Sequence, residues 1–218
     1  MEIQTLSRRD RERLTRRQAI LDAALSTFAT KGYESATLNE VAERAEFGKG
    51  TLYNYFPGGK EEILFALFDE VYDGVVELTN DYFADRENDD EPTRGVFRNY
   101  IALMIAHFID HLPKFLLLIK EAHRMVFGDQ TENATYLFAQ RERVAEALAK
   151  PVQLAMDRGE LKPMDAHTVA HLIMGNIHGY LMFACPHRGG EPTVSADPEV
   201  GANFITTILF DGLLIDPQ

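Results

Sequence analysis

Apolar residues recur along this chain at steps of three and four, the spacing of one helical face. Ile20, Leu21, Ala24, Leu25 and Phe28 form the first stripe. Lys31-Gly32 closes it, with glycine at a position that suits a helix C-terminus. Leu38, Val41, Ala42 and Ala45 form a short second stripe behind Thr37, and Glu40 stands where a capping box places its acid. Leu52 and Phe56 make a third stripe before Pro57-Gly58-Gly59 interrupts the pattern. A long amphipathic stretch from about Lys60 carries Ile63, Leu64, Leu67, Phe68, Val71, Val75 and Tyr82 on one side. The polar run 86–94 reads as a loop. Helical spacing resumes over roughly 94–111, 113–126, 131–158, 165–185 and 198–214, punctuated by Pro113, Gly128, Gly159, Pro163, Pro186 and Pro198. Asp197-Pro198 reads as an N-cap followed by proline in the first turn. No stretch keeps a period of two between turn signals, so the pattern predicts an all-α chain.

Residues 48–56 carry polar and small residues where a buried helix is expected. At about 100° per residue, Leu52 and Phe56 fall together and face inward, while Gly50, Thr51 and Asn54 fall on the opposite side. Tyr53 and Tyr55 flank the two edges. A glycine lets a second surface approach the backbone, asparagine pairs bidentately with an adenine edge, and threonine offers a hydroxyl and a methyl. Lys49 and the tyrosine hydroxyls suit phosphate oxygens. Two short helices joined by "AEFG" have the dimensions of a helix-turn-helix. The first, capped at Thr37, is expected to cross the DNA backbone, and the second to enter the major groove. Lys60, beside the free N–H groups of the next helix, is expected to hold a phosphate.

Net charge of −12 argues against nucleic acid for the chain taken whole. The charge is uneven, however: residues 1–60 carry ten Lys and Arg against eight Asp and Glu, and residues 61–218 carry twelve against twenty-six. Six arginines lie within 1–17 (Arg8, Arg9, Arg11, Arg13, Arg16, Arg17), which makes this end the candidate for a polyanion. As a basic arm it would trail along the duplex backbone or reach a minor groove. Its plain alternative is a solvated tail. A single cysteine, Cys185, excludes an internal disulfide framework and fits a reducing cytoplasm. No apolar run is long enough to span a bilayer, and no membrane partner is expected.

The stretch "ILDAALSTFATKGYESATLNEVAERAEFGKGTLYNYFPGGKEEIL" resembles the N-terminal domain of the tetracycline-repressor (TetR) family of bacterial transcription regulators. The likeness rests on Ala24, Phe28, Gly32 and Tyr33, then Thr37, Val41 and Ala42, then Lys49–Phe56 and Lys60-Glu61. It implies an all-α homodimer whose subunits each carry a DNA-reading head and a variable effector domain. Accordingly 1–17 is expected to be a basic arm, 18–62 a three-helix helix-turn-helix domain, and 63–218 a helical ligand-binding and dimerisation domain. The DNA-contacting set is Arg16, Arg17, Thr37, Lys49, Gly50, Thr51, Tyr53, Asn54, Tyr55 and Lys60. Three departures stand out: Glu46 occupies the turn position usually held by glycine, Gly48 stands where a serine or threonine cap is usual, and one extra residue lies between Phe56 and Lys60.

The same resemblance implies a four-helix dimer interface from the last two helices. Leu172, Gly175, Gly179, Phe204 and Ile208 are its candidate residues; an isologous two-fold matches a palindromic operator. The middle helices are rich in Phe, Met and His. Met104, His107, Phe108, His111, Phe115, His123, Phe127, Tyr136 and Met156 are candidate lining for an apolar or aromatic small-molecule effector. His107/His111 and His167/His171 are each spaced i, i+4 and share a face, as metal ligands can, with Glu121 and His123 as conceivable third ligands. No H-E-x-x-H, serine elbow, phosphate-binding glycine loop or cysteine pair is present, and no metal, cofactor or catalytic residue is expected. The reading reached is a ligand-responsive DNA-binding regulator, most simply a homodimeric repressor in the cytoplasm. Its alternative is an all-helical metal-binding protein or enzyme whose N-terminal helices are structural only.

Overall fold

A computed structural model describes residues 7–84, 91–128, 131–184 and 193–211; Cys185, Pro186 and Leu213 lie outside them. The described residues form helices and connecting turns, without strands. The helices are α1 (Arg8–Lys31), α2 (Leu38–Arg44), α3 (Lys49–Tyr55), α4 (Gly59–Ala84), α5 (Thr93–Asp110), α6 (Leu112–Phe127), α7 (Thr131–Asp157), α8 (Ala166–Ala184) and α9 (Pro198–Thr206). A π-turn, Thr207–Asp211, ends α9 where a single helix was expected. Among the described residues no single helix is long and apolar enough to cross a membrane.

The chain divides into two compact units, Met1–Val71 with Pro113–Ala134, and Tyr72–Leu112 with Thr135–Gln218. The boundary therefore falls inside α4 rather than before it, and α6 belongs to the N-terminal unit. Periodicity along α4 could not show this, because an unbroken helix presents the same pattern to two different partners.

The first unit is built as its apolar stripes dictate. Ile20, Leu21, Ala24, Phe28, Val41, Leu52, Phe56, Ile63 and Leu64 are all essentially inaccessible. The arginine-rich segment is not an irregular arm: α1 begins at Arg8, with Ser7 as N-cap accepting from the Asp10 N–H. Gly32 is the C-cap of α1 itself, at φ +81°. Thr37 and Glu40 form the full capping box of α2. The Glu40 carboxyl is held down to about 2 by its bond to Lys31, then by the Thr37 backbone N–H and side chain. This depressed value makes the contribution of Glu40 present above about pH 4.5 and lost as pH falls towards 2.

The turn between α2 and α3 is a Schellman closure. Phe47 N–H donates to Ala42 O (2.9 Å) and Glu46 N–H to Glu43 O (3.1 Å). Glu46 sits in the left-handed region at φ +59°, where a side chain is strained by about 1 kcal/mol or more. Glu46→Gly is therefore expected to stabilise the protein by about 0.5–1 kcal/mol, after the glycine's greater unfolded-state entropy is subtracted. Urea unfolding checks this, and a loss of stability would show that the strain is not there.

In the second unit, Thr79 and Tyr100 share a buried hydroxyl contact at 3.0 Å, and Tyr82 donates to Val96 O at 2.8 Å. Phe83, Phe97, Tyr100 and Phe210 stack around them. Asp197 caps α9 through the Glu199 N–H with Pro198 in the first turn, as the sequence predicts. Gly201 lets α9 sit tight: a Cβ there would lie 2.6 Å from the Tyr180 ring and 2.9 Å from Ile105. Arg94 grips Asp211 through two hydrogen bonds of 2.7 and 3.0 Å, pinning the π-turn to α5.

Candidate functional site

Helix α3 is seven residues long and rests on one buried side chain, Leu52, with Phe56 buried just after it. Its opposite side is free. Lys49, Gly50, Tyr53 and Asn54 are exposed, and Thr51 and Tyr55 are partly exposed at the edges. A Cβ built at Gly50 would meet nothing within 4 Å. Nothing in its own subunit thus requires glycine there, and a helix interior disfavours it by about 1 kcal/mol relative to alanine. Gly48 caps α3 without a side-chain bond, and the Thr51 N–H turns back to the Gly48 carbonyl at 2.9 Å.

The other residues of the predicted set divide. Thr37 is exposed, and its hydroxyl accepts from the Glu40 N–H at the start of α2. Arg16 is exposed. The Arg17 guanidinium lies 5.3 Å from the centre of the Phe56 ring, tying α1 to the end of α3. Lys60 is a correction. Its ammonium donates to the carbonyls of Tyr33 (2.8 Å), Glu34 (3.0 Å) and Ala36 (3.1 Å), so all three donors are used inside the head. The turn after α1 leaves these carbonyls without helical partners, and the lysine satisfies them in place of a phosphate.

Spacing gave no hint of the network that surrounds Tyr33. Lys60 lies 4.6 Å and Arg124 of α6 lies 5.0 Å from the Tyr33 ring centre. Arg124 also pairs with Glu121 (2.7 Å), whose side chain is buried, and with Glu34 (3.2 Å). Burial first, then the Glu61 carboxylate, pushes the Tyr33 hydroxyl up to about 12.

A cavity of about 540 Å³ opens in the second unit between α4, α5 and α7. Phe83, Val96, Phe97 and Leu154 form its apolar wall, and Lys150 and Arg158 stand among its charged lining. None of the nine predicted pocket residues lines it. Met104 and Phe115 are packed core, and Phe127 is 83% exposed. His107, Phe108, His111, Tyr136 and Met156 lie in the second unit, while His123 and Phe127 lie in the first. An apolar stripe looks the same whether it meets another helix or a void, so composition selected the rich helices and missed the gap. His111 and His123 direct Nδ1 to their own helix carbonyls, and His167 and His171 both face Glu142 at 3.3 and 3.2 Å. Among the described residues, no group of three His, Cys, Asp or Glu side chains is arranged to hold a metal ion.

The outer sides of α8 and α9 carry large exposed apolar residues. Leu172 is 52% and Phe204 59% exposed, with Phe183 and Val200 beside them in the same class. A Cβ at Gly175 or Gly179 would meet nothing within 4 Å. Ile208, in the π-turn, is half-buried.

Residues 20–67, spanning α1 to the first turns of α4, match the profile of bacterial regulatory proteins of the tetR family. That stretch is a TetR-family N-terminal domain. Among curated relatives, the fatty acid metabolism regulator protein of Bacillus subtilis is 25% identical over 166 residues, which is 72% of this chain and 77% of that one. Several other relatives align over shorter stretches, covering 26–33% of their own length. Among solved structures, FadR of Bacillus subtilis in complex with stearoyl-CoA superposes with a TM-score of 0.69 at 18% identity, covering 90% of this chain and 99% of that one. AibR in complex with isovaleryl coenzyme A and operator DNA superposes with a TM-score of 0.60 at 20% identity, covering 89% and 98%. At such identities these structures establish the fold alone: a helix-turn-helix head followed by a helical domain.

Proposed function

We propose that this chain is a ligand-responsive transcriptional repressor of the TetR family that binds a palindromic operator as a homodimer. One observation carries the reading: α3 buries only Leu52, leaves Gly50 and Asn54 exposed and Thr51 partly so, and has open space in front of Gly50. Asn54 supplies base readout, Lys49, Tyr53 and Tyr55 supply phosphate contacts, and Gly50 supplies clearance. The exposed faces of α8 and α9 supply the two-fold contact. The effector enters the cavity of the second unit. Its apolar wall and charged lining suit an amphipathic acyl compound, and acyl-coenzyme A esters are the first to try because FadR and AibR are described with them. Such a ligand releases DNA to the extent that it prefers the subunit geometry that DNA does not.

The test starts with selection of a binding duplex from a random pool by the full chain. Asn54→Ala is expected to lose about 1–3 kcal/mol of preference for the selected duplex while keeping its affinity for random DNA. Equal loss on both would remove Asn54 from base readout. Stearoyl-coenzyme A added to the selected complex is expected to release the duplex, and no release by any acyl chain length would exclude this effector class. Stoichiometric metal on the purified protein without duplex selection would favour the alternative of a metal-binding protein.

A further inference from the structure

We infer that the N-terminal turns of α1 are a rigid basic rail that holds the phosphates of DNA flanking the half-site read by α3; this rests on the DNA-binding reading above. Residues 8–17 extend α1 by about 15 Å beyond the first buried residue, Ile20. At about 100° per residue, Arg9, Arg13 and Arg16 fall within about 60° of one another and in line with Ile20, Ala23 and Thr27. Those three residues are buried against the rest of the head. The arginine stripe is therefore the continuation of the face on which α1 packs, carried past the end of the packing. Arg17, stacked on Phe56 immediately after α3, marks where the overhang begins. Arg9, Arg13 and Arg16 are all exposed, whereas Arg8 is paired with Glu12.

Groove dimensions decide what this rail can touch. A helix with its side chains is about 10–12 Å across, and the B-DNA minor groove is about 6 Å wide. The helical segment does not lie in a minor groove as an extended arm does, and three guanidinium groups in line along it match the row of backbone phosphates, contacts that carry no sequence preference. An overhang of about 15 Å covers roughly four base pairs.

The experiment compares the full chain with the variant Arg9→Gln/Arg13→Gln/Arg16→Gln on two forms of the selected duplex. One form ends at the half-sites and the other carries six further base pairs on each side. A second variant, Arg8→Gln/Arg11→Gln, removes charge from other faces of the same turns. The native protein is expected to bind the longer duplex more tightly, and the triple variant to bind both alike. Because each phosphate contact contributes about 0.9 to the salt slope, the triple variant's slope on the longer duplex is expected to fall by about 5 for two heads. The double variant is expected to change it by less than 1 per head. Equal loss per charge in the two variants would show a floppy tail and overturn the inference. Tighter binding to A·T-rich than to G·C-rich flanks would overturn it as well, by showing minor-groove reading. Duplex selection that survives with an unchanged slope sinks the rail alone, whereas absence of any selection by the native protein sinks the repressor reading and the rail with it.

Discussion

Replacing Leu172 and Phe204 together by glutamate is expected to convert the protein into a folded monomer of 24.6 kDa and to weaken operator binding about a thousandfold. Both side chains are more than half exposed within the subunit, so their replacement removes little from its own core. In a two-fold interface each would be repeated, placing four carboxylates in an apolar contact. A single unpaired buried charge is typically worth 3–5 kcal/mol, enough to abolish a dimer at micromolar concentration. A monomer offers one head where the operator has two half-sites, and loss of that linkage alone removes a factor of roughly 10²–10⁴. Sedimentation gives the mass and circular dichroism the helix content. A variant that stays dimeric, or a native protein that is monomeric at the same concentration, would exclude this face as the interface. Gly175 and Gly179 point the same way. Glycine has no internal purpose there, since a Cβ at either meets open space, and a partner helix approaching closely would supply one.

Lys60→Met is expected to lower the stability of the head by about 2 kcal/mol while leaving the salt dependence of DNA binding unchanged. Three carbonyls, those of Tyr33, Glu34 and Ala36, share one ammonium. A hydrogen bond to a charged group contributes about 1.5–3 kcal/mol. Lys60 is only partly buried, and water replaces some of what is lost, which keeps the net near the lower end. The neighbouring Tyr33 ring would also lose one of its two cations. Had Lys60 held a phosphate, the substitution would leave the melting temperature alone and reduce the salt slope by about 0.9 per head. Thermal unfolding together with binding at several salt concentrations separates the two outcomes.

Much of the head was legible without coordinates because its signals are local. Three- and four-residue spacing placed its helices, Thr37 with Glu40 marked the start of α2, and the split within residues 48–56 between Leu52 and Phe56 on one side and Gly50 and Asn54 on the other gave α3 two faces; outside the head, Asp197-Pro198 marked the start of α9 in the same local way. Each of these depends on residues within one or two turns of each other. Glu46 was visible as an oddity, and its meaning came from the φ of +59° that the turn imposes. The arginine run was read as an arm because, with Leu14 alone among residues 8–17, it carries no apolar stripe; helix propagation from the packed part of α1 decides its form.

What the sequence by itself determined is the all-helical class, the head and the outward-facing residues of α3, since these follow from periodicity, capping and composition along a continuous stretch of chain. Only the tertiary structure decided where Lys60 spends its charge, that α6 joins the head through Arg124 and Tyr33, and where α4, α5 and α7 leave a gap large enough for a ligand. Those features join residues tens of positions apart, and an apolar stripe or a lysine carries no mark of which distant surface it will meet.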